Sequence, residues 1–227
     1  MSFGNWTARR PSNRPCKRRG RGEPANRLAN VGYRLILASA SPSRLRLLQG
    51  SGLNPEVMVS HVPEDGVDGL PPAEAVLMLA RRKAVAVSLK VDGPALVIGC
   101  DSMLELEGES YGKPATPDEA RQRWRHMRNR SGVLHTGHCV IDTTDGSQAA
   151  RTDSATVRFG NPSDYEIDAY VATGEPLRVA GAFTLEGMSS PWIDSIDGNY
   201  GTITGISIPL VRELLAELGV GIVDLWS

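Results

Sequence analysis

Three cysteines in 227 residues, at Cys16, Cys100 and Cys139, are too few and too scattered for a disulfide framework, and no Cys-x-x-Cys pair offers a metal site. That scarcity fits a reducing compartment better than secretion, so a cytoplasmic location is expected. No stretch approaches the ~18 consecutive apolar residues of a membrane helix. Nor does an apolar segment of signal-peptide length follow the basic N-terminal residues, so export is not expected. The four histidines, His61, His126, His135 and His138, lack metal-ligand spacing. His135 and His138 lie three apart in a strand-like segment, where that interval does not put two side chains on one face. A P-loop is missing as well. Tyr111-Gly112-Lys113-Pro114 would need Gly at 107 and Ser or Thr at 114, where Glu107 and Pro114 stand. No internal repeat and no low-complexity linker follows residue 30.

What is present is the composition of an ordinary globular domain, 41% hydrophobic and 22% charged, long enough to bury a sizeable core. The net charge of −1 hides an asymmetry. Residues 1–30 carry eight Lys or Arg and the single acid Glu23, whereas residues 31–227 carry 17 bases and 25 acids, a net of −8. Residues 1–30 are rich in Arg, Pro, Gly and Asn without apolar periodicity, so they are expected to be a disordered basic extension. A body as acidic as residues 31–227 makes a poor non-specific nucleic-acid binder. A nucleic-acid contact would have to come from residues 9–21.

One continuous domain is expected over residues 31–227. Arg34 to Ser39 reads as a buried strand. Ser41 then caps a helix that has Pro42 at its first position and stops at Gly50. Pro72 to Leu89 reads as a second helix, with Val76, Leu79, Lys83 and Val87 on one stripe. Ala95 to Cys100 is a short apolar strand, and Leu104 and Leu106 alternate with acids toward a turn at Gly108. Thr116-Pro117-Asp118-Glu119 has the form of a capping box opening a helix to about Arg128. Strands follow at His138–Asp142 and Ser154–Phe159, a short helix at Asp164–Ala172, and a C-terminal helix opened by Pro209. Strands alternating with helices define an α/β fold with a mixed sheet.

Four places could carry chemistry. The strand–turn–helix Leu37-Ala38-Ser39-Ala40-Ser41-Pro42-Ser43-Arg44 would present backbone N–H groups, two hydroxyls and a fork-shaped cation to an anion. A merely capped helix with a surface arginine fits it as well. Asp101, after the apolar strand ending Val97-Ile98-Gly99-Cys100, stands where α/β sheets place ligands. It suits binding Mg²⁺ or positioning a water, and equally suits capping the following turn. Lys113, between Gly112 and Pro114, can reach a phosphate as a point charge. Lys83 is a cation on an apolar stripe and needs a partner, either a phosphate or a carboxylate. Glu64, in the turn Val62-Pro63-Glu64-Asp65-Gly66, and Glu186 are ambiguous taken singly.

In order along the chain these segments resemble the Maf family of nucleoside triphosphate pyrophosphatases. The matching pieces are Leu37-Ala38-Ser39-x-Ser41-Pro42-x-Arg44, Glu64, Lys83, Gly99-x-Asp101, Gly112-Lys113-Pro114 and Ser131-Gly132-x-x-His135. Thr173-Gly174-Glu175-Pro176, Ala180-Gly181-Ala182-Phe183, Glu186-Gly187 and Gly205-Ile206-Ser207-Ile208-Pro209-Leu210 continue the match. The resemblance implies an elongated mixed β-sheet flanked by helices, two lobes around a cleft, similar to inosine triphosphatases, and a homodimer. It implies hydrolysis of a nucleoside triphosphate to a monophosphate and pyrophosphate. Removal of non-standard nucleotides and arrest of cell division are further associations, and a non-enzymatic nucleotide-binding regulator of septum formation is the alternative.

By the same resemblance Asp101 is the proton acceptor, acting with Lys83 and Glu64. Ser39, Ser41, Arg44 and Lys113 bind phosphate. Asp101 and Glu64 hold a divalent metal cation, Mg²⁺ or else Mn²⁺. Residues 43, 102 and 186 are the positions of base choice. The branch cleaving dTTP and UTP has Arg, Thr and Gln there, and this chain has Ser43, Ser102 and Glu186. That branch also has Asp-Lys where this chain has Arg178-Val179. Glu186 and Pro176-Leu177 resemble the branch acting on 7-methyl-GTP, which has Trp at 43. A carboxylate accepts hydrogen bonds where Gln can also donate, which tilts the reading away from thymine and uracil.

Overall fold

A computed structural model describes residues 33–226, so the expected extension at 1–30 lies outside the described residues. The first strand, β1 (Arg34–Leu37), is buried on both faces apart from its first residue. Helix α1 (Pro42–Gly50) follows, and Ser41 caps it by accepting from the Arg44 N–H. After the short β2 (Glu56–Val57) comes α2 (Pro72–Ser88), and then β3 (Ala95–Leu106). β1 pairs in parallel with both β2 and β3. Parallel neighbours need crossovers, and the two crossover helices leave by opposite faces. Leu48 of α1 packs with Leu37, Ile98 and Cys100 on one face. Ala80, Ala84 and Val87 of α2 pack with Ile36, Val97 and Cys139 on the other.

The rest of the sheet is antiparallel. β4 (Glu109–Tyr111) folds back on the end of β3, and α3 (Pro117–Met127) leads to β5 (Ser131–Asp142) beside β3. β6 (Gln148–Phe159) and β7 (Ile193–Asp197) complete the order β2-β1-β3-β5-β6-β7, with α4 (Asp164–Ala172) between them. Helices α5 (Tyr200–Thr204) and α6 (Ile208–Glu217) close the chain, α6 lying on the α1 face. Strands β3, β5 and β6 each have 12 residues, or about 40 Å at ~3.3 Å per residue, and run through two lobes. The second lobe is built on Trp124 of α3, whose ring meets Phe159, Tyr170 and Trp192 edge-on. Its Nε1 donates to the Ala182 carbonyl at 2.8 Å. The fold is thus the expected mixed α/β sheet flanked by helices.

Three expectations need correction. β3 does not stop at Cys100, because ten consecutive pairings with β5 carry it through Asp101 to Glu105, and β4 pairs with it on to Leu106. Asp101 is therefore mid-strand; the strand that ends beside it is β1, at Leu37 opposite Ile98. β5 and β6 likewise begin earlier than their apolar residues suggest, since Gly132, Gly137 and Asp153 are held by cross-strand pairing rather than by propensity. At Thr116 only half of the capping box forms. Thr116 accepts from the Glu119 N–H at 3.2 Å, but Glu119 accepts from Ala115 instead, at 2.7 Å. The full reciprocal box stands at Ser163 and Glu166.

Candidate active site

β1 stops at Leu37, while β3 runs on eight residues further to Leu106. α1 leaves over one face and α2 crosses the other, so a crevice opens at the carboxyl end of β1. Such a switch in strand order is where open α/β sheets bind ligands. Asp101 sits beside this gap on the α2 face. Lys83 projects from the stripe of α2 that also buries Val76, Leu79 and Val87. Its Nζ donates to Asp101 Oδ1 in a very short contact and to Glu64 Oε1 at 2.7 Å. The partner required by a cation on an apolar stripe is thus a pair of carboxylates.

These three groups differ in exposure, and so in chemistry. Asp101 and Lys83 are buried, whereas the Glu64 side chain is 59% exposed. Burial raises the Asp101 pKa above the ordinary aspartate value, against the opposing charges of Lys83 and Arg44. Burial also works upward on Glu64, but the hydrogen bond and charge of Lys83, helped by Lys113 and Arg44, outweigh it and lower that carboxyl. One carboxylate is therefore tuned as a better base and the other is fixed as an anion.

The turn before α1 forms the opposite wall. Ser39 is buried, and its Oγ accepts from the Ser41 N–H at 3.2 Å and from Arg44 at 3.0 Å. Arg44 is buried and largely committed. It also donates to the carbonyls of Gly205, at 2.8 Å, and Cys100, at 2.9 Å, and to Ser102 Oγ at 3.0 Å. Four of its five N–H groups are used, so what it presents to the crevice is mainly a fixed positive charge behind the turn. The first turn of α1 carries no acid, which leaves the positive end of the helix unopposed. Lys113 is exposed. Its backbone is not free, because the neighbouring Gly112 carbonyl accepts from Arg123 at 2.5 Å and from the Gly181 N–H at 3.0 Å.

The three positions that the resemblance assigns to base choice divide. Ser102 lies on the face opposite Asp101 and donates to Thr136, whose own proton goes to the Thr202 carbonyl at 2.8 Å. Ser43 and Glu186 are brought together by a residue that the sequence reading missed, Arg46. One nitrogen of Arg46 donates to Ser43 Oγ at 3.0 Å and to Glu186 Oε2 at 2.9 Å. Tyr200, also missed, donates to Glu186 Oε1 at 2.9 Å. Arg46 stands one helical turn after Ser43, a spacing that signals contact on a helix. For Tyr200 the sequence holds no comparable signal.

His135 and His138 point to opposite faces of β5. His135 bonds Ser154 at 2.8 Å and Glu105 at 3.0 Å, while His138 accepts from the Ser207 N–H at 2.8 Å. Among the described residues no group of three His, Cys, Asp or Glu side chains converges as a metal cage, and no helix is long and apolar enough to cross a membrane.

The crevice gathers carboxylates and cations where the parallel pairing of β1 and β3 ends, at the switch point of an α/β sheet. The model of the Maf-like protein family matches residues 34–218, and the chain belongs to that family. A nucleoside triphosphate pyrophosphatase of Streptomyces coelicolor is 58% identical over 196 residues, spanning 86% of this chain and 95% of its own. One from Salinispora tropica is 52% identical over 198 residues, 86% of this chain and 88% of its own. Among solved structures, a nucleoside-triphosphatase / dITP/XTP pyrophosphatase from Mycobacterium abscessus covers 82% of this chain and 94% of its own at 12% identity, with a TM-score of 0.36, too loose a likeness to carry weight.

Proposed function

We propose that the protein hydrolyses nucleoside triphosphates between the α and β phosphates, releasing a nucleoside monophosphate and pyrophosphate. The observation that carries this is the Asp101–Lys83–Glu64 cluster facing the open start of α1 across the end of β1. A water near Asp101 gives its proton to that carboxylate as its oxygen bonds to the α-phosphorus. The bridging oxygen to the β-phosphate leaves with the electron pair. A triphosphate brings about four negative charges, which spread over the phosphoryl oxygens in the transition state. Lys83, Lys113 and the fixed charge of Arg44 oppose them inside an acidic body. Ser39 and Ser41 line the turn that would receive the chain of phosphates.

The residues fit a divalent cation in part. Asp101 and Glu64 meet at one ammonium, and each keeps an oxygen that Lys83 does not touch. Two carboxylates without a third protein ligand suit a hard ion such as Mg²⁺, or Mn²⁺, that fills its shell with water and phosphate oxygens. When bound, such an ion would neutralise phosphate charge and lower the pKa of a coordinated water.

As part of the same proposal, the protein works in the cytoplasm as a homodimer on free nucleotides rather than on nucleic acid. Pyrophosphate release from a panel of ribo- and deoxyribonucleoside triphosphates, with Mg²⁺ and with chelator, tests it. Nucleotide binding without turnover would leave only the regulator reading.

A further inference from the structure

Three polar side chains stand in one row across the sheet, beneath α5. Ser102 of β3 pairs with Thr136 of β5, and Thr136 pairs in turn with Asp153 of β6. Thr136 is wholly buried, as is Thr202 of α5 above it. Hydroxyls placed there lower stability unless each finds a partner. Thr202 holds the row at two points. Its hydroxyl donates to Asp153 Oδ2 at 2.5 Å, and its carbonyl accepts from Thr136 Oγ1 at 2.8 Å.

That second contact fixes the polarity of the whole chain. A carbonyl only accepts, so the single Thr136 hydroxyl hydrogen is spent on Thr202. Toward Ser102, at 2.9 Å, Thr136 can therefore only accept, and Ser102 must donate. Ser102 then has no hydrogen left for Arg44 and is locked as the acceptor of its Nη2, at 3.0 Å. α5 reaches the same guanidinium directly, because the Gly205 carbonyl at its end accepts from Nε at 2.8 Å. Gly205 has φ 114°, and a Cβ there would stand 3.1 Å from Arg44 Nε. The remaining donors of Arg44 go to Cys100 and to Ser39, a member of the turn before α1. The row thus ends in the one cation that stands behind that turn.

We propose that Thr136 is a positioning residue for substrate phosphate binding. It keeps Ser102 an acceptor, Ser102 keeps the Arg44 guanidinium in one orientation, and that orientation sets the charge behind Ser39. Thr136 itself touches no substrate. Without its oxygen, the Ser102 hydrogen is free to turn toward Arg44 and set donor against donor. The inference rests on the pyrophosphatase reading for what the turn receives, a chain of phosphates.

The test uses the full chain with Mg²⁺ and two probes, the α,β-methylene analogues of GTP and UTP. Calorimetry gives their affinities, and pyrophosphate release from GTP and UTP gives KM and kcat. Thr136→Val keeps the shape and removes the hydroxyl. It is expected to weaken both analogues about 5- to 20-fold, by the same factor for each, because the effect travels through a charge that faces phosphate. KM should rise in step while kcat stays within about 3-fold, as for a group that binds substrate and transition state alike. Thr136→Ser restores the hydroxyl and should return affinity to within about 2-fold of wild type. Ser102→Ala breaks the chain at a partly exposed link, so it answers the question even if Thr136→Val does not fold, and the same weakening is expected. Unchanged affinity in Ser102→Ala or in folded Thr136→Val would overturn the proposal. So would a loss confined to one analogue, a fall in kcat alone, or failure of Thr136→Ser to rescue. Weakened analogue binding in a protein that releases no pyrophosphate would overturn the hydrolytic reading alone and leave the positioning role standing. Binding of neither analogue by wild type would overturn both.

Discussion

Gly137 of β5 lies directly across the ladder from Asp101 of β3, and α2 passes over that pair. A Cβ on Gly137 would come 2.2 Å from the Val76 carbonyl oxygen, and one on Gly99 would come 2.3 Å from that of Ala80. Two missing side chains let the helix backbone rest on the sheet, and that seating delivers Lys83 to Asp101. Gly137→Ala is therefore expected to push α2 away, cost about 1–3 kcal/mol through overpacking, and lower turnover by separating the ion pair. Urea unfolding and pyrophosphate release measure the two effects. Full stability together with full activity would mean that the close approach does not position the site.

The Asp101 carboxylate is assigned the proton of the attacking water. Asp101→Asn keeps the size and can still accept from Lys83, but it cannot take that proton. Removing one preorganised group of such a site costs about 2.7–4 kcal/mol in the barrier, so Asp101→Asn and Lys83→Ala should each lose at least ~100-fold in turnover. Steady-state kinetics on any accepted triphosphate decides this. Parental rates in folded Asp101→Asn would remove Asp101 from the role.

Much of this was readable before any coordinates. The helices at Pro42, Pro72 and Asp164 announce themselves through caps and apolar spacing, and the burial of Lys83 follows from its phase with Leu79 and Val87. The run of β3 through Asp101 was not readable. Gly99, Asp101 and Ser102 have poor strand propensity, and only pairing with β5 holds them extended. The commitment of Arg44 to two carbonyls and two hydroxyls was also hidden, because Cys100, Ser102 and Gly205 reach it only through the tertiary fold. Arg46 lay within reach of helical spacing, yet its partner Glu186 is 140 positions away.

The pH dependence of catalysis follows from the burial of Asp101. Its pKa is raised by burial, so the acidic limb of kcat/KM should lie above the ordinary aspartate value of 3.8. Lys83 opposes that rise, so on the residual activity of Lys83→Met the limb should move to higher pH. A limb that moves down, or stays in place, would contradict the electrostatic coupling of the pair.

His138 sets a separate dependence, on stability. Burial first, and then the charge of Arg44, lower its pKa from 6.5 to about 4. Below pH 6.5 the unfolded chain gains a proton that the folded chain refuses. Stability should therefore fall as pH drops from 6.5 to about 4, with this contribution levelling off below that. His138→Gln keeps an acceptor for the Ser207 N–H and loses the titration. Denaturant melts across this window should show a shallower slope for the variant than for wild type, and equal slopes would assign the loss to other groups.

Arg123 anchors the backbone beside Lys113, the exposed cation proposed to meet the phosphates. Its guanidinium is only 5% exposed, lies 4.9 Å from the centre of the Tyr111 ring, and ties Glu119 to the Gly112 carbonyl. Lys113 hangs from that anchored carbonyl. Arg123→Met removes a buried donor and should cost about 1–3 kcal/mol of stability. It should also raise KM for nucleotide by letting the Lys113 backbone wander, although Arg123 itself touches no substrate. If the effect on KM runs through Lys113, the two substitutions are coupled, and Lys113→Ala with Arg123→Met should bind nucleotide no worse than Lys113→Ala alone. Additive losses in that double-mutant cycle would show that Arg123 acts on the crevice by another route.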